Sequence, residues 1–309
     1  MAEAVLDRLS AGKLFDLTGV VAVVTGGGTG IGLMMTTTLV ANGATVYIIG
    51  PQQEDLDRIA RVYNNASTGS SGKIIGLAGD IRLKSEAKRL ADEIESREGY
   101  ITVLFNNAGI LAAANLQGPE PNVPSYVKTY FDSVSQDDFS NVFNTNAVGT
   151  YWLSFAFLPL LGKWKTLDPT VNPAAAKFVP QIIVTSSGCA WTKEPLLAAR
   201  SFPYMFSKSA SAQFVSSLAH EFLPLGIRVN GIAPGYFQSE LSAPGTADEL
   251  GLSHATTVML PPLTPPDIPT GGTPRDIGSL VLFLVANWFV NGETVLIDGG
   301  TFLVHPSTY

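Results

Sequence analysis

The stretch SFPYMFSKSA, residues 201–210, sets Tyr204 and Lys208 four positions apart. On a helix that spacing puts a phenol and an ammonium on one face, one turn apart. A phenol has an ordinary pKa near 10, and a neighbouring ammonium stabilises the phenolate and lowers that value. The pair is therefore a candidate proton-transfer device, acid in one direction and base in the other. With nine tyrosines in 309 residues, one such pair is ordinary by chance. The elements around it must say whether it faces a reactive site.

Short β-rich runs alternate with helix-length segments along the whole chain. Residues 20–25, 44–50, 72–80, 101–109, 180–188, 227–235 and 293–300 read as strands, rich in Val and Ile without alternation, as suits strands covered on both faces. Helices are expected near 31–42, 52–64, 84–97, 136–161, 203–223 and 274–286. This alternation implies right-handed crossovers and an α/β fold, a doubly wound parallel sheet of about seven strands with helices on both faces. With no repeat and no linker, residues 1–309 read as one domain. Three stretches interrupt the rhythm: 111–135, 162–179 and the Pro-, Gly- and Thr-rich 236–273. Ligands of such sheets bind beyond the carboxyl ends of the strands, so 236–273 is expected to be a lid over a substrate pocket.

The stretch VVAVVTGGGTGIGLMM runs from a strand through Gly26, Gly30 and Gly32 into a helix. Glycine permits the turn and lets backbone N–H groups approach a pyrophosphate at the positive end of that helix. A second strand follows about twenty residues on, as a dinucleotide-binding unit requires.

TGGGTGIG resembles the cofactor motif of the short-chain dehydrogenase/reductase family, and five further motifs follow in the family's order. NNAG (106–109) ends the fourth strand, Asn146 lies in FNTNAVGTYW, and Ser186 and Ser187 end the fifth strand. YMFSK and then IAPG (232–235) complete the set, so the resemblance spans residues 20–300. It implies a Rossmann-type fold and hydride transfer between a nicotinamide cofactor and a carbonyl or secondary alcohol. Tyr204 would be the general acid or base, Lys208 would tune it and bind the nicotinamide ribose, and Ser187 would fix the substrate carbonyl. Asn146 would bend its helix and hold a water linking Lys208 to solvent.

Cofactor contacts implied by the resemblance begin with Thr25, Gly26, Gly28, Thr29, Gly30, Ile31 and Gly32 in the loop. Asn107, Ala108 and Gly109 would flank the cofactor, Asp80 beside Ile81 would contact the adenine ring, and Ile232 would pack on the nicotinamide face. Pro234 and Gly235 lead to Ser239, where family members often carry a Thr that bonds the nicotinamide carboxamide. PGYFQSEL is similar to fungal-type ketoreductases and 3-oxoacyl reductases of the family, which implies a place in secondary metabolism. Ser187 and Tyr204 are 17 positions apart, more than is usual in the family, so residues 188–203 must bulge. Trp191 and Phe202 are candidates to line the pocket there.

The residue ending the second strand governs the adenosine 2′ position. Gly50 stands there, followed by Pro51, Gln52 and Gln53, with Arg58 further along. Without a carboxylate, strict NAD use is disfavoured; the usual phosphate-gripping Arg is also missing, and NADP is expected over NAD. Alternatives are an NAD-dependent alcohol dehydrogenase, or a protein of this fold reused as a cyclase, isomerase or sensor.

Composition narrows the partners. A net charge of −7, a pI near 5.0 and the absence of basic runs exclude a nucleic-acid surface. The longest late apolar run, 277–290, is too short to span a bilayer, and the single Cys189 suits a reducing compartment. A cytoplasmic protein without a membrane partner or a metal site is expected. The helices at 136–161 and 203–223 carry more apolar residues than one buried stripe needs, and family resemblance implies a homodimer or homotetramer built on them.

Overall fold

The run VAVVT forms β1 (Val21–Thr25), with all five residues buried. The computed structural model describes residues 2–66, 72–255 and 271–309. Two short exposed helices, α1 (Ala2–Leu9) and α2 (Ala11–Leu14), precede β1. After it come α3 (Gly30–Ala41), β2 (Thr45–Gly50), α4 (Gln53–Ala66), β3 (Lys73–Ala78), α5 (Lys84–Glu98) and β4 (Val103–Asn106). Then follow α6 (Val123–Val127), α7 (Gln136–Phe143), α8 (Gly149–Ala156), α9 (Leu158–Trp164), β5 (Gln181–Thr185), α10 (Phe202–Glu221) and β6 (Arg228–Pro234). The described elements end with α11 (Pro274–Ala286), β7 (Thr294–Ile297) and the helical turn α12 (Thr301–Val304).

The seven strands form one parallel sheet in the order β3-β2-β1-β4-β5-β6-β7. The order reverses between β1 and β4, which opens a crevice at their carboxyl ends. Successive residues of a strand face opposite sides. Ala22 and Val24 pack with Leu33, Met35 and Ile277 on one side, while Val21 and Val23 pack with Leu90, Ile94 and Leu153 on the other. This double burial is the physical reason the strands read as unbroken apolar runs.

Boundaries differ from the sequence reading where function-bearing loops begin. The run 101–109 looks like a nine-residue strand, yet β4 stops at Asn106, and β5 stops at Thr185 rather than at residue 188. The helix expected over 136–161 is broken twice: a π-helical turn at Asn144–Val148 separates α7 from α8, and Pro159 starts α9 afresh. The insertion at 162–179 lies at the amino ends of the strands, where Lys177 Nζ donates to the Asp16 carbonyl at 2.7 Å and Asn172 to the Tyr100 hydroxyl at 3.0 Å. A loop that leads into a strand must emerge at that edge, so this one cannot serve the site.

At the same edge, Arg228 is buried and ends α11. Its Nη1 donates to the carbonyls of Leu284, Asn287 and Val290 at 3.2, 3.0 and 3.0 Å, satisfying acceptors that a helix C-terminus leaves open. Burial pulls the guanidinium down to about 10. Arg228→Met would leave the Asn287 carbonyl unpaired, while those of Leu284 and Val290 keep the amide donors of Gln181 and Asn230. A loss of about 2 kcal/mol in urea-unfolding stability is expected, with no change in cofactor affinity.

Candidate active site

The glycine loop is built by close approaches. Gly26 and Gly30 adopt positive φ, +65° and +49°, which suits glycine. A Cβ on Gly32 would stand 2.0 Å from the Gly26 carbonyl oxygen, so α3 presses directly on the loop. Thr36, one turn into α3, donates to the carbonyls of Gly27 and Gly32 at 3.0 and 2.8 Å and locks that contact. At Gly28 a Cβ would meet only Leu56, at 3.5 Å, leaving open space above the loop. Thr29 is the N-cap of α3 and Ile31 lies in its first turn.

Thr25 and Asn107 tie the loop to the end of β4. The Thr25 hydroxyl accepts the N–H groups of Asn107 and Ala108 at 3.0 and 2.9 Å, and Asn107 Nδ2 returns a bond to the Thr25 carbonyl at 3.0 Å. Gly109 then passes between catalytic candidates, since its added Cβ would lie 3.3 Å from both Asn146 Oδ1 and Lys208 Nζ. Across the crevice Pro234 ends β6 and Gly235 lies against Asp298. Ser239 packs on Gly30, where an added Cβ would meet its Cβ at 2.7 Å. The structure therefore brings the NNAG stretch and Ser239, four residues beyond PG, against the same glycine loop. Ile232 departs from that reading: it is wholly buried in the core with Ile183 and Val24, out of reach of a bound ring.

Tyr204, Lys208, Ser187 and Asn146 converge and are buried, at 8%, 4%, 7% and 2% exposure. Lys208 Nζ lies 5.7 Å from the Tyr204 ring centroid and donates to the Thr185 carbonyl at 2.8 Å. The Ser187 hydroxyl accepts the Cys189 N–H at 3.1 Å and lies beside the Tyr204 phenol, whose pKa it lowers. Ser186 turns the other way and donates to the Lys208 carbonyl at 2.9 Å, holding α10 against β5. The two serines thus have distinct jobs, and Ser187 is the one facing the phenol.

Asn146 sits in the π-helical turn, so the local bend expected of it is present. Its side chain clasps Ile110 in both directions, accepting the N–H at 2.8 Å and donating to the carbonyl at 3.0 Å, and also donates to Ser207. Its own carbonyl accepts the hydroxyls of Ser211 and Thr150 at 3.1 and 3.2 Å. Sequence reasoning named Ser186 without giving it this role, and passed over Thr185 and Ser207, which hold Lys208 and Asn146. Their signal was nearness in the chain: Ser186 and Ser207 adjoin Ser187 and Lys208, and Thr185 lies two before Ser187.

The electrostatics correct one expectation. Burial raises the pKa of Tyr204, against a smaller lowering by Ser187, so the phenol is not acidified in this state. Lys208 stands beside the ring with a donor engaged by Thr185, and its own ammonium is pulled down by burial to about 8. The unfolded chain, with an ordinary lysine near 10.5, binds more protons than the folded one between pH 8 and 10.5. Lys208 therefore makes stability rise with pH across that window. Lys208→Met is expected to flatten this rise, read as the pH dependence of the urea midpoint, and to be no less stable at pH 7.

The residues expected to serve the adenosine are tied down by polar contacts. Gln53 is engaged on β3, accepting from Ala78 N and donating to the Gly76 carbonyl at 2.8 and 3.0 Å. Arg58 donates to the Glu249 carbonyl at 3.1 Å, and Tyr63 to the Leu250 carbonyl at 2.9 Å. Asp80 is held by Arg82 through both carboxylate oxygens, and this bond lowers its pKa. Ile81 is buried against α8, its carbonyl 2.9 Å from the Cβ position of Gly149. Gly50 lies under Leu56, with no charged side chain against it. The segment 236–255, expected to cover substrate, rests on the glycine loop and α4: Gly251 abuts the Gly28 carbonyl, Leu33 and Ile59. Residues 256–270 of the expected lid lie outside the described residues.

A glycine loop at a helix N-terminus, open above Gly28, fits a dinucleotide diphosphate, and a buried Ser–Tyr–Lys set lies at the next strand ends. The short chain dehydrogenase family model matches residues 20–250, and the chain belongs to that family of NAD(P)-dependent oxidoreductases. It is 34% identical to the short-chain dehydrogenase/reductase VdtF of Byssochlamys spectabilis over 97% of this chain and 98% of that protein. It is 33% identical to PhomF of Diaporthe leptostromiformis over the full length of both. Among solved structures, a gluconate 5-dehydrogenase from Burkholderia cenocepacia, in complex with NADP and tartrate, superimposes with a TM-score of 0.71 at 24% identity, covering 96% of this chain and 100% of that one. RhlG of Pseudomonas aeruginosa, solved with NADP, gives a TM-score of 0.68 at 22% identity over 93% and 98%.

Proposed function

We propose that the protein is an NADP(H)-dependent carbonyl reductase, working reversibly on a ketone and its secondary alcohol. The observation carrying this reading is the buried cluster in which Ser187 lies beside the Tyr204 phenol and Lys208 lies one turn along α10. The bound nicotinamide supplies or receives the hydride at carbon. Ser187 and Tyr204 hold the carbonyl oxygen between two hydroxyls, and Tyr204 O–H gives its proton to that oxygen in reduction. In oxidation the same oxygen takes the proton back. Lys208, held by Thr185, places positive charge beside the phenol as the proton leaves. Buried walls keep water from competing for the proton.

Cofactor contacts are assigned to the glycine loop (Thr25, Gly26, Gly28, Thr29, Gly30, Ile31, Gly32), to Asn107, Ala108 and Gly109, and to Tyr204 and Lys208. Gly50, Asp80 and Ile81 serve the adenosine end, and Pro234, Gly235 and Ser239 the nicotinamide end. The preference for NADP is supported by the missing carboxylate at Gly50 and by two structural neighbours solved with NADP. One observation favours NAD instead: Arg58, the cation that would reach a 2′-phosphate, is engaged by Glu249.

The named fungal relatives support a place in secondary metabolism. Among the described residues no helix is long and apolar enough to cross a membrane. A homodimer through α8 and α10 is supported by an open apolar groove of about 310 Å³ lined by Val148, Tyr151, Ala210 and Phe214, and by exposed Phe155 and Phe206.

Fluorescence titration with NADPH and with NADH tests the reading, followed by a ketone panel with the tighter cofactor. Tighter NADPH binding with turnover is the expected result. A clear NADH preference would move the assignment to an alcohol dehydrogenase, and binding of neither would overturn it.

A further inference from the structure

The long spacer between Ser187 and Tyr204 is fastened at both ends by other parts of the chain. Its distal end meets the loop after β4: Asn115 N donates to the Ala199 carbonyl at 2.8 Å, and Ser201 Oγ to the Ala112 carbonyl. Ala113, Asn115, Ala199 and Arg200 are the non-glycine residues with positive φ among the described residues, and all four lie in these two turns. Such backbone persists only where its surroundings over-determine it.

Its proximal end is fastened by the segment after β7. Asp298 caps α12 by accepting the N–H groups of Gly300 and Phe302, each at 2.9 Å. The Phe302 ring then lies on Gly188, 3.1 Å from where a Cβ would stand. Beyond α12 the chain pairs antiparallel with the spacer at Thr192 and Ser307. Lys193 N donates to the Pro306 carbonyl and Thr308 N to the Trp191 carbonyl, both at 2.9 Å. His305 Nδ1 meets Glu194 Oε2 at 2.7 Å, and the Tyr309 and Trp191 rings lie 4.8 Å apart.

From this geometry we infer that residues 302–309 are a positioning element for the reaction. They hold the turn Gly188–Ala190, whose Cys189 N–H fixes the Ser187 hydroxyl, and so decide which carbonyl can be seated between Ser187 and Tyr204. Anchored to the turn, Ser187 keeps one orientation and leaves its O–H free to donate. Released, the hydroxyl samples other rotamers and the carbonyl loses one of its two donors. The inference rests on the reductase reading for its consequence, while the mechanical link stands on the contacts alone.

Tyr309 supplies the test, because it is 61% exposed and its replacement opens no core cavity. Cys189, the single cysteine, reports on the turn without any substrate. In Tyr309→Ala, Cys189 is expected to react with a thiol reagent about tenfold faster than in the wild type, because access governs the rate. For ketones that the wild type reduces, kcat/KM is expected to fall about tenfold through lost orientation, with NADPH affinity and melting temperature unchanged. Tyr309→Phe keeps the ring contact and should restore both values. Unchanged thiol reactivity would overturn the inference, as would faster labelling with unaltered kcat/KM. If the wild type reduced no ketone, the reductase reading would fail, and the labelling result would still decide whether the segment holds the turn.

Discussion

Replacing Tyr204 with phenylalanine is expected to lower ketone reduction by about a thousandfold, the range seen when a positioned general acid is lost. The ring stays in its buried place, and the Lys208 ammonium still has Thr185. The variant loses only the phenol's polar contact with Ser187, so its unfolding free energy should change by no more than about 1 kcal/mol. NADPH affinity, read by fluorescence titration, should stay within about twofold, since the phenol oxygen is one donor among many contacts. Steady-state NADPH oxidation decides the case: wild-type turnover in Tyr204→Phe would remove the acid–base assignment. The reverse reaction adds a check. Because burial raises the phenol's pKa, oxidation, which needs the phenolate, is expected to accelerate as pH rises above neutral.

Gly32→Ala is expected to abolish measurable cofactor binding and to cost about 3 kcal/mol of stability, as overpacking against backbone does. The new Cβ would stand 2.0 Å from the Gly26 carbonyl oxygen and 2.5 Å from Asn107 Nδ2. Neither is the free end of a flexible side chain. To make room, α3 must move off the loop, breaking the Thr36 bonds to Gly27 and Gly32 and the Asn107 bond to Thr25. Gly28→Ala is the matched control. Its Cβ would meet Leu56 at an ordinary 3.5 Å, so the chain should fold with wild-type stability. Loss of affinity without loss of stability at Gly28 would then mark a close approach of the cofactor. A Gly32→Ala protein that binds NADPH normally would mean the loop is not the cradle.

Local chemistry made much of this legible. The glycine loop could be read because glycine adopts the positive φ of Gly26 and Gly30 at least cost, and a strand before and a helix after fix its context. The seven strands could be read because burial on both faces writes itself as continuous Val and Ile. Tyr204 and Lys208 could be read because helical spacing fixes their relation.

What remained hidden depended on contacts between distant segments. Burial of Tyr204 reverses the pKa shift that spacing implies, since desolvation is set by the spacer and loops folded around the phenol. Ser186 and Ser187 are adjacent and alike in sequence, yet one bonds the Lys208 carbonyl and the other faces the phenol, because successive residues leaving β5 point opposite ways. Residues 162–179 and 236–255 read alike as loops, and only strand direction put one at the far edge and the other on the glycine loop. The sequence by itself determined the family, the sheet and the reactive residue types, because periodicity, glycine placement and side-chain chemistry are local. The tertiary structure decided the direction of the phenol's pKa shift, the division of labour between the serines and the fastening of the spacer by residues 302–309, because each depends on what the fold brings together from afar.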